Sequence, residues 1–116
     1  MDARSLTDLI RFDEERGRTE LLTETANLWS QVICLQDSQG VGPMRDDLAE
    51  GFLLVLAGEV AIQAGKSRAR LGQWATTTVA AGEDLTIRNA SAEPSVVLLV
   101  LSPPPGTGAA PAAGSD

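Results

Sequence analysis

Few side chains in this 116-residue sequence could do chemistry, and most of them are carboxylates. One group is Met44, Asp46 and Glu50, which lie close together along the chain. Oxygen ligands of this kind suit calcium or magnesium, and paired carboxylates can act as acid and base when burial separates their pKa values. Glu83 and Asp84 form a second acidic pair. Nothing in the sequence indicates burial of either group, so a solvated loop is the simpler interpretation of both.

The sequence contains no histidine and one cysteine, Cys34. Histidine is the commonest ligand of transition metals and the usual acid–base group near neutral pH. Cys34 lies in the apolar stretch "QVICLQ" and has no histidine to deprotonate it, which favours a core residue over a nucleophile. We therefore expect no cofactor and no bound transition metal. The sequence also supports a binding protein more than an enzyme.

Charge and hydropathy narrow the class of partner. The net charge is −7, from 16 acidic and 9 basic residues. An acidic surface repels nucleic-acid phosphates and anionic lipid heads, so neither nucleic acid nor a membrane is an expected partner. No apolar run approaches the roughly 20 residues that span a bilayer, and the charged N-terminus lacks the apolar centre of a secretory signal. With a single cysteine, these features predict a cytoplasmic protein.

The candidate side chains must be positioned by strands. Short apolar and β-branched runs, separated by turn residues, recur over residues 19–102 and predict eight or nine antiparallel strands in a sandwich or barrel. Residues 1–18 form a lead-in segment, either a short helical turn capped by Ser5 or an irregular strand. The Gly and Pro content of "DSQGVGP", residues 37–43, predicts a loop. Residues 103–116 are rich in Pro, Gly and Ala and are predicted to be a disordered tail.

The segment "VLAGEVAIQAGKSRARLGQWATTTVAAGEDLTIRNASAEPSVVLLVLSPP", residues 55–104, resembles the cupin superfamily. Gly58 falls in the turn of the family's V-L-x-G-E-V pattern. Gly82 and Asn89 match the glycine and asparagine of its second motif, whereas Ala80 replaces the motif's proline and Leu85 its histidine. The resemblance implies a small all-β fold, an antiparallel double-stranded β-helix or jelly-roll barrel that is often dimeric.

The resemblance fails where the family binds metal. The first motif would place two histidines near Met44 and Asp46, or near Arg45 and Asp47, and these positions hold none. Its glutamate position falls on Gly51, one residue after Glu50. The framework residues are therefore present while every imidazole ligand is missing.

The framework residues have structural interpretations of their own. Gly58 and Gly82 suit turns with positive φ, and the Asn89 side chain can bond to the backbone of its own turn. Strand alternation puts Leu85 and Ile87 on one face. The resemblance implies that this face points into the barrel. These two residues either pack the core or form an apolar pocket wall.

Trp74 stands before a predicted strand, where it suits a pocket rim, a subunit interface or plain packing. Trp29 is a candidate for a subunit interface, or for the core if the chain is a monomer. The candidate pocket residues from the sequence are Met44, Asp46, Glu50, Val55, Trp74, Leu85 and Ile87.

Three functions are compatible with this sequence. The first is a metal-free cupin-like module that binds a small molecule or a protein partner without catalysis and forms a homodimer. The second is an isomerase or epimerase that uses carboxylates on a small polar substrate without metal. The third is a structural or assembly protein with a filled barrel. A hollow interior separates the first from the third, and a buried acid facing another polar group would indicate the second.

Overall fold

A computed structural model describes residues 1–106, and these residues form two antiparallel sheets that face each other. The strands of this part of the chain are β1 Arg18–Glu24, β2 Trp29–Leu35, β3 Gly40–Met44, β4 Glu50–Ala57, β5 Glu59–Ala64, β6 Ser67–Gly72, β7 Thr76–Val79, β8 Leu85–Asn89 and β9 Ser95–Ser102. The five-stranded sheet has the order β1-β2-β9-β4-β7, and the four-stranded sheet has the order β3-β8-β5-β6. The predicted all-β antiparallel fold is confirmed.

Strand β3 corrects part of one prediction: residues 37–43 were predicted to be a loop, and only residues 37–39 lie outside a strand. Its two glycines lie against the backbone of β8. A Cβ at Gly40 would come within 2.9 Å of the Ile87 carbonyl oxygen, and one at Gly42 would collide with the Leu85 carbonyl oxygen. The glycines therefore permit close approach of two strands, a use of glycine that resembles a turn signal in the sequence.

The interior between the sheets follows from the alternation of side chains along each strand. In β2, Ile33 and Leu35 face inward with no exposed surface, whereas Val32 and Cys34 face outward. The inner cluster joins residues of both sheets: Ile33, Leu35, Leu53, Val55, Val60, Ile62, Val79, Leu85, Ile87, Val97 and Leu99. Burial of this apolar set is the main stabilising term of the fold.

The N-terminal segment covers part of the outer face of the five-stranded sheet. It contains a short 3₁₀ helix, Leu6–Leu9, preceded by Ser5, whose hydroxyl bonds to the Thr7 hydroxyl rather than capping the backbone. Leu6, Leu9, Ile10 and Phe12 pack on Val32, Cys34 and Val96. This second cluster explains why outward-facing residues of β2 and β9 are buried.

Within residues 1–106, no helix has the length and apolar character needed to cross a membrane.

The predicted tail spans residues 103–116, and its part from residue 107 onward lies outside the described residues. Residues 103–106 continue from β9 past the end of the barrel.

Candidate ligand pocket

A pocket of about 130 Å³ opens at one end of the barrel, between the strand ends of the two sheets. Its wall is mostly apolar and comes from both sheets. The large apolar residues that line it are Trp29, Met44, Val79, Leu85, Leu99 and Leu101.

Strand pairing brings the pocket wall together. In the five-stranded sheet, Leu101 lies opposite Trp29 on one side and Gly51 on the other, which places these residues in one row on the inner face. In the four-stranded sheet, Met44 pairs with Leu85. These two rows face each other across the pocket.

Gly51 leaves space in the middle of the first row. A Cβ at this position would lie 3.3 Å from Leu101 Cδ2 and 3.4 Å from Val79 Cβ, so even a methyl group would occupy part of the present pocket. The missing side chain of Gly51 is thus one reason why this end of the barrel is hollow.

Asp46 holds the rim of the pocket in place. Its Oδ1 accepts hydrogen bonds from the backbone amides of Leu48, at 2.9 Å, and Ala49, at 2.8 Å. Its Oδ2 accepts one from the Gly106 amide at 2.6 Å, which fixes the segment that carries Pro105 beside the pocket. The amides of Gly106 and Ala49 hold the pKa of the Asp46 carboxyl below its usual value, because they stabilise the charged form.

The other charged residues of the rim are Arg45 and Glu83. Arg45 is paired with Asp47, with 3.0 Å between Nε and Oδ1. The mouth of the pocket therefore holds two carboxylates, Asp46 and Glu83, and one arginine whose charge is already matched.

Three of the residues predicted from the sequence line this pocket, namely Met44, Asp46 and Leu85. Leu85 is 4% exposed, packs in the inner cluster and also lines the pocket. Core packing and a pocket wall, the two interpretations of Leu85 from the sequence, therefore both hold.

Four predicted pocket residues do not line it. Val55 and Ile87 are fully buried in the filled part of the barrel, further along the same inner faces. Glu50 precedes the inward-facing Gly51, so alternation turns it to the outer face of β4. Trp74 is 67% exposed in the turn between β6 and β7, near Val55 and away from the pocket end of β4, with φ of 72°.

Several pocket residues were not predicted from the sequence. Trp29 was considered for a subunit interface or the core, yet it forms part of the pocket wall. Its inward direction follows from its even spacing to Ile33 and Leu35 along β2. Leu99 and Leu101 had no such signal, because the uniformly apolar stretch "SVVLLVLS" does not reveal which residues face inward.

The opposite end of the barrel is closed by a buried polar network around Asn89. Its Nδ2 donates hydrogen bonds to the carbonyl oxygens of Glu93, at 2.8 Å, and Leu35, at 3.2 Å. Its Oδ1 accepts from the Ser91 amide at 2.9 Å and from the Ser95 hydroxyl at 3.0 Å. Asn89 thus joins its own turn to β2 and β9.

The two framework glycines also lie in turns. Gly58 has φ of 78° and Gly82 has φ of 85°. Gly82 donates its amide to the Asp46 carbonyl oxygen at 2.8 Å, which links the turn before β8 to the pocket rim.

Comparison with solved structures identifies the fold. The protein TT1209 from Thermus thermophilus superimposes with a TM-score of 0.85 and 24% sequence identity, over 90% of this chain and 100% of that one. A double-stranded β-helix protein from Klebsiella pneumoniae gives 0.82 and 16%, over 89% and 90% of the two chains. An RmlC-like cupin protein from Desulfovibrio desulfuricans gives 0.79 and 22%, over 90% and 98%. No protein-family sequence model matches the chain, and no curated protein matches it in sequence.

The chain therefore has the cupin fold, the double-stranded β-helix, as the sequence resemblance predicted. The structural neighbours include proteins described as uncharacterised or of unknown function, and the likeness defines the fold rather than an activity.

The residues at the pocket do not fit the metal that many cupins bind. Leu85 offers no donor atom, and both carboxylate oxygens of Asp46 already accept backbone hydrogen bonds. The thiol of Cys34 lies on the outer face of the five-stranded sheet. Across residues 1–106, no group of three or more His, Cys, Asp or Glu side chains is arranged to hold a metal ion.

Proposed function

We propose that this cupin-fold protein is a non-catalytic binding module that takes a small, mainly apolar organic molecule in the pocket without a metal ion. The observation that carries the proposal is an open apolar wall at the place where the family motif has a metal-binding histidine. Leu85 stands at the position of the motif's histidine and faces Trp29 and Leu101 across a space that the protein leaves empty. Such a site favours the transfer of apolar surface out of water.

The volume of the pocket limits the ligand. In another protein a dry apolar cavity of roughly 150 Å³ binds benzene, and the pocket here is of comparable size, at about 130 Å³. A ligand with a single ring or a short branched chain fits this space. The two carboxylates at the mouth, Asp46 and Glu83, favour a ligand whose exposed end is neutral or positively charged.

The alternative of a carboxylate-dependent isomerase receives less support. Such an enzyme needs one group that accepts a proton and one that donates it across the substrate. Asp46 uses both oxygens to hold the rim, and its lowered pKa keeps it ionised near neutral pH, when it cannot donate a proton. The alternative of a filled barrel is disfavoured by the pocket itself.

Tryptophan fluorescence tests the proposal directly. A Trp74→Phe variant leaves Trp29, in the pocket wall, as the single indole of the chain. Titration of this variant with bromobenzene should give saturable quenching. In the same background, Gly51→Val or Ala80→Leu should fill the pocket or its mouth and abolish saturation, while thermal melting reports that the fold is retained. Linear, purely collisional quenching, or saturation unchanged by both pocket-filling variants, would refute the binding function.

A further inference from the structure

The outer face of the four-stranded sheet carries a cluster of positive charge in an otherwise acidic protein. Its strands contain three arginines, Arg68 and Arg70 on β6 and Arg88 on β8, against a single acidic residue, Glu59. The chain as a whole has a net charge of −7. Three of the nine basic residues therefore share one face, which we term the arginine face.

Strand register places the three guanidiniums around a small residue. Ala61 of β5 pairs with Arg88 on one side and with Arg70 on the other, so both arginines point to the same face. Strands about 4.8 Å apart separate the Cα atoms of these arginines by about 10 Å, and Arg68 lies about 7 Å from Arg70 along β6. Because Ala61 is short, the arginines border a shallow open groove of about 590 Å³.

The three arginines differ in whether another group of this protein already neutralises their charge. Arg70 is held by Glu59, and its Nη2 donates to the Ala90 carbonyl oxygen at 2.8 Å. The guanidiniums of Arg68 and Arg88 form no hydrogen bond or ion pair within residues 1–106. Their guanidiniums keep their donors available, and Gln63 and Thr86 add neutral polar groups to the same groove.

We propose that the arginine face docks an acidic peptide segment of a partner protein. Guanidinium groups match carboxylates in charge and in planar geometry. One exposed ion pair contributes little, so a small anion with a single charge gains little here. A segment with several Asp or Glu side chains reaches Arg68 and Arg88 together, beside Arg70, whose charge Glu59 already matches. This surface lies on the outside of the barrel and does not depend on the pocket.

Nucleic acid fits the arginine face less well. Duplex DNA carries one charge per about 1.7 Å, so a cluster about 10 Å across neutralises few phosphates. The remaining phosphates face a protein whose net charge is −7. A short acidic segment places most of its charge within the cluster.

The test uses the full chain and a fluorescein-labelled peptide in which six glutamates alternate with threonine. Fluorescence anisotropy should show binding that weakens as salt increases. A peptide with glutamine in place of glutamate should not bind. The double variant Arg68→Gln/Arg88→Gln should bind about tenfold more weakly. Arg11→Gln/Arg16→Gln changes the net charge equally on exposed residues elsewhere and should bind like the wild type.

In the binding measurements, four results would overturn the proposal. They are the absence of binding, equal binding of the glutamine peptide, equal loss in the Arg11/Arg16 variant, and tighter binding of single-stranded RNA at equal charge. Self-association that disappears in Arg68→Gln/Arg88→Gln would show instead that a second copy occupies this face. Arg68→Lys/Arg88→Lys keeps the charge but loses the planar fork, and an affinity between those of the wild type and the glutamine variant supports carboxylate recognition.

Discussion

The carboxylate of Asp46 and the backbone amide of Gly106 are joined by a hydrogen bond of 2.6 Å, although they are 60 residues apart in the sequence. The bond connects the loop after β3 to the segment after β9. Both parts lie at the mouth of the pocket, so this contact fixes one side of the rim.

We expect Asp46→Ala to loosen the rim and to lower the free energy of unfolding by on the order of 1 kcal/mol. The substitution removes three hydrogen bonds that Asp46 accepts from backbone amides. Because the site is open to solvent, these bonds contribute less to stability than buried ones would. Asp47→Ala is the matched control, because Asp47 is exposed and pairs only with Arg45 among the described residues. Urea denaturation measures both. Equal effects of the two substitutions would contradict the role given to Asp46.

The difference between wild type and Asp46→Ala should depend on pH. The pKa of Asp46 is lower in the folded protein than in the unfolded chain, so the carboxylate stabilises the fold above the unfolded value of about 3.8. This contribution is lost as the pH falls through the lower, folded value. Thermal melting at pH 7 and at pH 2.5 should show a difference between the two proteins that shrinks at the lower pH.

Gly82→Ala should destabilise the protein by about 1 kcal/mol through the backbone alone. Gly82 has φ of 85°, and an added Cβ would meet no heavy atom within 4 Å. Gly72→Ala is the control, because its Cβ also has open space and its φ lies outside the left-handed region. Thermal melting should separate the two variants, and equal melting temperatures would mean that the turn does not impose this conformation in solution.

Leu85→Ala should lower the free energy of unfolding by about 2–4 kcal/mol and enlarge the pocket. Leu85 is 4% exposed and packs in the inner cluster. Leu48→Ala removes the same atoms from a residue that is 54% exposed and should have little effect. A loss below 1 kcal/mol for Leu85→Ala in urea denaturation would show that Leu85 contributes little to the core.

We expect protein purified without added metal or a metal-binding tag to contain no stoichiometric transition metal. The chain offers no imidazole, and its one thiol is buried on the outer face of the five-stranded sheet. Elemental analysis measures this. One equivalent of zinc, iron, manganese or nickel per chain would show that other donors form a site.

We expect a homodimer in solution. Strand β1 is an edge of the five-stranded sheet, and an edge strand leaves backbone groups available for pairing with a second copy by two-fold symmetry. The competing arrangement is a monomer whose N-terminal segment covers its own sheet. Light scattering at micromolar concentration distinguishes them, and a monomer mass that is unchanged by deletion of residues 1–16 would contradict the dimer.

The fold was predictable because local signals and the long-range pattern agree. Alternating apolar residues, glycine-bounded strands and the framework of Gly58, Gly82 and Asn89 all indicate the same barrel. Strand β3 was missed because Gly40 and Gly42 serve the approach of β8, and sequence alone does not distinguish that use from a turn.

The candidate site was predictable only in part. The family resemblance places Leu85 in the interior. The alternation of side chains along β8 then predicts that Ile87 also points inward. The depth of each side chain depends on strand register, which separates the pocket residue Leu85 from the filled interior at Ile87. The partner of Asp46 comes from the segment after the last strand, and no local pattern links residues so far apart.

The burial of Cys34 under the N-terminal segment makes this thiol a reporter of local opening. Burial raises the pKa of the Cys34 thiol, so the folded protein protects it from alkylation both by covering it and by keeping it protonated. Because the chain has one cysteine, each modified molecule records one event at one place. We expect the rate of labelling in native buffer to rise with opening of the N-terminal segment, which packs Leu6, Leu9 and Phe12 over the cluster that contains Cys34.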